Sequence, residues 1–192
     1  MISRDQALAL IREHVGNENI VKHMLALEVV MGALFDRLQP TDGTTREEWT
    51  MAGLLHDGDY CDAVPPSRQG IQIAEWARAK GYAISDPLAH AMAAHNWSNT
   101  GIEPQNLMDW AIFCADSLTG LIVAAALVLP GKKLADVKVA SVLKRFKEPS
   151  FARGTRREDI ALCETKIGLS LPDFVTLALS AMQSIDKDLG LS

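Results

Sequence analysis

The sequence predicts an all-α fold in a single domain spanning residues 1–192. Three observations carry that expectation. Helix-start and helix-stop signals recur from end to end, apolar residues follow the helical period, and no alternating run bounded by hairpin turns occurs. At 192 residues the chain can build one sizeable core and is short for two.

The elements follow in order. Ser3 with Gln6 is a capping-box pattern, and Ala7, Leu8 and Ile11 lead to His14 and a stop at Gly16. A second helix runs from about Asn19 to Leu38, with Ile20, Met24, Leu27, Met31, Leu34 and Leu38 as its apolar stripe. Thr45 and Glu48 open a third, which carries Trp49, Ala52 and Leu55 and breaks near Gly58. Tandem prolines make Asp59 to Pro66 a loop. Ser67 to Lys80 reads as a helix closed by Gly81, and Ser85-Asp86-Pro87 starts another that reaches about His95. A long helix then begins at Glu103-Pro104 and continues to Pro130-Gly131. Leu134 to Phe146 and Thr155 to Ile167 come next, the latter with Thr155 and Glu158 as its cap, and Ser170 caps the last.

Composition narrows the function. Hydrophobic residues make up 48% and charged residues 22%, which excludes a disordered chain. The balance of 19 Lys+Arg against 24 Asp+Glu, a net charge of -5, argues against a nucleic-acid polymer as partner. The longest apolar run, Leu121 to Leu129, has nine residues, so no membrane partner is expected. Charges at Arg4 and Asp5, with three scattered cysteines (Cys61, Cys114, Cys163), point to a reduced cytoplasmic protein. From about residue 132 the same domain carries a basic carboxyl-terminal extension. Lys132 to Arg157 holds nine Lys+Arg against two acidic residues, which reads either as a solvated surface or as an anion-facing wall.

A few polar residues interrupt the apolar faces. His23 lies on the stripe of the second helix, and His56-Asp57 ends the third. Asp116 stands alone in Trp-Ala-Ile-Phe-Cys-Ala-Asp-Ser-Leu-Thr-Gly-Leu-Ile-Val, with no other charge between Asp109 and Lys132. A buried carboxylate needs a cation, a donor network or a raised pKa. Hydrogen-bonded core groups are one account; a single metal ion where the three helix faces cross is the other, and it compensates all of them at once. His90, five residues from His95, points elsewhere and reads as structural, and His14 complements the end of its helix.

The ordered set His, His-Asp, Asp on successive helices resembles the HD-domain superfamily of metal-dependent phosphohydrolases. The segments Lys22-His23-Met24-Leu25-Ala26, Gly53 to Tyr60, His95-Asn96 and Ala115 to Ile122 are similar to a stand-alone bacterial branch of it. So are Ser141 to Lys147, Phe151-Ala152 and Arg157-Glu158. That resemblance implies His23, His56, Asp57 and Asp116 as ligands of one divalent transition metal. Two nitrogen and two oxygen donors suit Mn, Fe, Co, Ni or Zn. Members with two metals add histidines from the following helices; one such position falls at Gln69, a poor ligand, while His95 keeps the other.

The implied activity is hydrolysis of a small phosphorylated metabolite or nucleotide by metal-activated water. His95 is the candidate for touching phosphate or leaving group. Asp59 either orients the water or serves as a turn acceptor. Lys144, Lys147, Arg153 and Arg157 are candidates for the substrate's charge. A di-iron HD-type oxygenase and a non-catalytic nucleotide- or anion-binding domain are the alternatives, and a homodimer through helix faces is left open.

Overall fold

The computed structural model describes residues 1–192, which form helices joined by turns and no strand. Helix α1 (Arg4–His14) opens on the Ser3–Gln6 capping box, and α2 (Glu18–Leu38) is capped by the Asn17 side chain. Helix α3 (Arg46–Leu55) has the capping box of Thr45 and Glu48. Next come α4 (Gln72–Ala79), α5 (Asp86–Ala94) behind Ser85, and the short α6 (Trp97–Thr100). The long α7 (Leu107–Leu127) precedes α8 (Val139–Phe146), α9 (Arg157–Ala161) and α10 (Cys163–Lys166). The chain closes with α11 (Leu171–Gln183), capped by Ser170, and α12 (Asp186–Leu189).

One contiguous core of 48 buried residues, from Ile2 to Leu191, holds these elements together. Helix α7 runs through it and packs on α2, α5, α8, α9, α10 and α11. Its 21 residues, with a mean hydropathy of 1.8 over the most apolar window, are long and apolar enough to cross a membrane; 61% of that window is buried against the other helices.

Several boundaries differ from the sequence expectation, among them the end of the long helix at Leu127 and the break between α9 and α10, and four of them have a local reason. The helix expected from Ser67 starts only at Gln72, after a single 3-10 turn at Pro66–Arg68. Asp59 takes the Gly70 and Ile73 amides there, and Gly70 adopts a φ of 81°. The long helix starts at Leu107 rather than at Glu103-Pro104, because Asp109 accepts from the Gln105 and Asn106 amides in a capping box. The segment from Leu134 splits into a 3-10 turn at Leu134–Asp136 and α8, since the Leu134 amide and carbonyl are bound by Leu191 and Gln183. The Thr155–Glu158 cap does not form: α9 begins after an extended Arg156, and Arg157 takes the Thr155 carbonyl.

Glycine decides how closely the first site-bearing helices approach. A Cβ on Gly53 of α3 would lie 2.5 Å from the Leu27 carbonyl oxygen of α2. Only a hydrogen there lets the two backbones meet, one turn beyond His23 and one turn before His56. Gly53→Ala is therefore expected to destabilise the fold by ~2–3 kcal/mol through overpacking. In thermal melts this is a fall of about 5–10 °C; an unchanged melting temperature would contradict the close approach.

Candidate metal centre

The four expected ligands do meet. His23 comes from α2, His56 and Asp57 from the end of α3, and Asp116 from the middle of α7. His23 Nε2 lies 2.9 Å from Asp116 Oδ1 and 3.1 Å from His56 Nε2. His56 Nε2 is 3.4 Å from Asp57 Oδ2. His95, at the end of α5, joins them, with Nε2 3.4 Å from Asp57 Oδ1. Two groups of metal-capable atoms result, His23-His56-Asp116 and His56-Asp57-His95, each within 4.8 Å. His56 and His95 are buried, while Asp57, Asp116 and His23 keep a partly exposed side toward the cavity.

Helix ends orient two of the imidazoles. The last four carbonyls of a helix lack intrahelical partners. His56 and His95 each occupy the C-cap of their helix, and each donates Nδ1–H to the carbonyl three residues back, Gly53 and Met92 respectively. His23 is held differently. The Thr119 hydroxyl donates to the Asp116 carbonyl at 2.8 Å and accepts from His23 Nδ1 at 3.1 Å. With Nδ1 donating in all three rings, every Nε2 presents a lone pair to one or both of the two donor groups, which share His56.

The donor set therefore fits a cation. Three neutral imidazole nitrogens and two carboxylates converge there with no hydrogen to share, and the carbonyl ends of α3 and α5 add negative potential. Burial opposes charge on His23, but Asp116 and Asp57 outweigh it and raise its pKa. Burial likewise opposes charge on His95, and Asp57 and Asp116 raise it. The carboxylates mirror this. Burial favours their neutral forms, yet His56 and His95 hold Asp57 well below the usual range, and His23 holds Asp116 at about 2. Positive charge is what this cluster demands, whether as protons or as a metal ion.

The cluster floors an open, mostly polar cavity of about 740 Å³. One wall is made of amides: Asn96 Nδ2 donates to Gln69 Oε1 at 3.3 Å, and Asn99 Nδ2 donates to Asn96 Oδ1 at 2.7 Å. The opposite wall is the segment Ala152 to Arg156. Arg153 is exposed and has no carboxylate partner, whereas Arg156 reaches both Asp159 (2.6 Å) and the Asp116 Oδ2 (3.6 Å).

Other expected site residues sit elsewhere. Asp59 is fully buried and outside the cavity lining. Its carboxylate accepts from Gly70 (2.9 Å) and Ile73 (2.9 Å), so it acts as the turn acceptor and does not face the cavity. It nonetheless serves the site, because it pins Gly70, whose Cβ would lie 2.1 Å from the Met92 carbonyl that anchors His95. Lys144 and Lys147 are exposed on and just after α8, away from the cavity lining. Arg157 does not face it either: its guanidinium donates to the carbonyls of Phe146, Thr155, Arg145, Glu148 and Phe151. That knot holds the loop, including Ala152 at φ 45°, which presents Arg153 and Arg156. His90 pairs with buried Asp109 at 2.8 Å, and His14 stacks on Trp76. Arg156 and Asn99 were not singled out by sequence, and Asn96 entered only within the His95-Asn96 segment of the resemblance, with no role given to it. Their signals were a second arginine beside Arg157 and two amides just after His95, neither of which shows its direction.

The pH dependence of the metal-free protein follows. Groups with raised pKa values, His23 and His95, stabilise the fold fully below the ordinary imidazole value of 6.5 and lose this as pH rises through their folded values. Groups with depressed values, Asp57 and Asp116, stabilise it above the ordinary carboxylate value of 3.8 and lose this as pH falls through their folded values, about 2 for Asp116. Chelator-treated protein should melt lower at pH 8.5 than at pH 6. Added Mn should raise the melting temperature more at pH 8.5, because metal competes with those protons. Melts that do not change over that range, with or without Mn, would contradict the reading of the cluster.

Comparison with known proteins matches this chain to no family model, no curated protein and no solved structure.

Proposed function

We propose that the protein is a metal-dependent phosphohydrolase acting on a small phosphate ester. The observation that carries the reading is the polarity of one cavity: a floor of imidazole nitrogens and carboxylates faces a wall bearing Arg153 and Arg156. A cation on the floor and guanidinium groups on the wall together suit a phosphoryl group, whose oxygens can bridge them. The resemblance to HD-domain proteins in the order His23, His56-Asp57, Asp116 points the same way.

His23, His56, Asp57 and Asp116 would hold the ion. When bound, a divalent transition metal supplies Lewis acidity, which makes hydroxide available at neutral pH and offsets phosphoryl charge. The protein's own groups do the rest. Arg153, free of any carboxylate, binds the non-bridging oxygens, and Arg156 adds a second positive charge tethered by Asp159. His95, its ring fixed on the Met92 carbonyl, presents Nε2 to the cavity; in the protonated form, which Asp57 and Asp116 favour, it donates that proton to the departing oxygen. The Asn96 and Asn99 amides orient what remains of the substrate.

The second donor group, His56-Asp57-His95, favours one other reading, a two-metal centre of the oxygenase type. Elemental analysis separates the two: about one transition metal per chain fits the hydrolase, and two irons per chain fit the oxygenase. Asp57→Ala should lose the metal and reduce turnover of p-nitrophenyl phosphate by a factor of about 100 or more. Arg153→Ala should keep the metal and raise KM about tenfold, the worth of one charge-assisted hydrogen bond. An Arg153→Ala enzyme with unchanged KM would remove the arginine wall from the reading.

A further inference from the structure

The polar cavity continues past His23. His23 and Gly120 also line a second cavity of about 400 Å³ between α2 and α7, which Thr119 joins. Its remaining wall is largely apolar, with Ala26, Val123, Leu127 and Leu191, and Asn19 and Lys22 are its polar members. On α7 the residues Asp116, Gly120, Val123 and Leu127 fall on one face. They make a track of roughly 16 Å from the metal cluster to the helix end. At that end Leu127 and Val128 are 48% and 55% exposed, two of the four large apolar side chains the surface shows.

Gly120 is the junction. A glycine inside a helix weakens it relative to alanine, so it calls for a reason. Here no turn or positive φ requires it, and a Cβ would meet no atom within 4 Å. Gly53 and Gly70, by contrast, admit neighbouring backbone. Gly120 lines both the polar cavity and the apolar groove, and without a side chain it leaves the surface between them clear.

We propose that the substrate is a phosphate monoester of an elongated apolar alcohol. Its phosphoryl group lies between the donor cluster and Arg153, and its carbon chain crosses Gly120 into the groove of Val123 and Leu127. This rests on the phosphohydrolase reading. The reaction breaks the bond between phosphorus and the alcohol oxygen and forms a phosphorus–oxygen bond to water. One proton of water passes to the alcohol, leaving alcohol and inorganic phosphate.

The test is calorimetric titration of the Mn-loaded protein with butyl-, hexyl- and octylphosphonate, which cannot be hydrolysed at a phosphate ester bond. Burial of each methylene is expected to lower Kd about fourfold. Gly120→Leu, which blocks the passage, and Val123→Glu, which charges the groove, should each abolish that dependence while helical circular dichroism is retained. A Kd that is constant along the series in the wild type, or chain-length dependence that survives in both variants, overturns the proposal. Release of inorganic phosphate from the matching alkyl phosphates is followed in parallel. Release without chain-length dependence overturns the groove and keeps the hydrolase. Chain-length-dependent binding without release overturns the hydrolase reading, and with it the assignment of the bound ester as substrate.

Discussion

Like-acting acceptors pressed together inside an apolar bundle are the constraint around which this molecule is arranged. Three imidazole nitrogens and two carboxylates meet at the crossing of α2, α3, α5 and α7, with His56 and His95 buried and the others open only on the side of the cavity. Such a cluster costs several kcal/mol unless positive charge joins it. The surrounding structure is consistent with that demand. Gly53 lets α2 and α3 come close enough for His23 and His56 to lie 3.1 Å apart, and α7 carries Asp116 through the middle of the core to reach them.

The same backbone economy sets the direction of the rings. His56 and His95 stand where their helices stop, so carbonyls that would otherwise lack partners become the acceptors that settle the tautomer. Asp59, buried and outside the cavity lining, belongs to this apparatus. By holding Gly70 against the end of α5 it supports the carbonyl on which His95 turns. Desolvation raises the Asp59 pKa even though amides donate to it, so the pin is held in a place unfavourable to its charge. A residue two positions from a ligand can thus matter through geometry without meeting the reaction.

Beside the cluster, positive charge is delivered by a loop rather than by a helix face. Arg157 gathers the carbonyls of that loop, and its neighbour Arg156 turns the other way, toward Asp116 and Asp159. The division of labour between adjacent arginines follows from the extended backbone at Arg156, which sends successive side chains apart. One of them builds the wall and the other faces the cavity, so the basic segment is neither wholly solvated nor wholly a binding surface.

Much of this was legible in the residues themselves, because it rests on local rules. Capping boxes at Ser3 and Thr45, the helical stripe from Ile20 to Leu38 and the Ser170 cap are short-range chemistry, and they form where the spacing placed them. The convergence of His23, His56, Asp57 and Asp116 was also readable, since lone polar residues on apolar faces must compensate one another across the core. What depended on distant partners was not readable. Whether Asp59 met water or amides turned on a loop eleven residues away, and the helix from Leu134 broke because Leu191 and Gln183 claimed its backbone. Likewise Lys144 and Lys147 carry the same charge as Arg153, but only chain packing decides which cation faces the cavity. Sequence thus determined the fold class, most helix positions and the set of compensating polar groups, through interactions a few residues long. Tertiary structure alone decided their directions, because a side chain's direction depends on contacts from elements far along the chain.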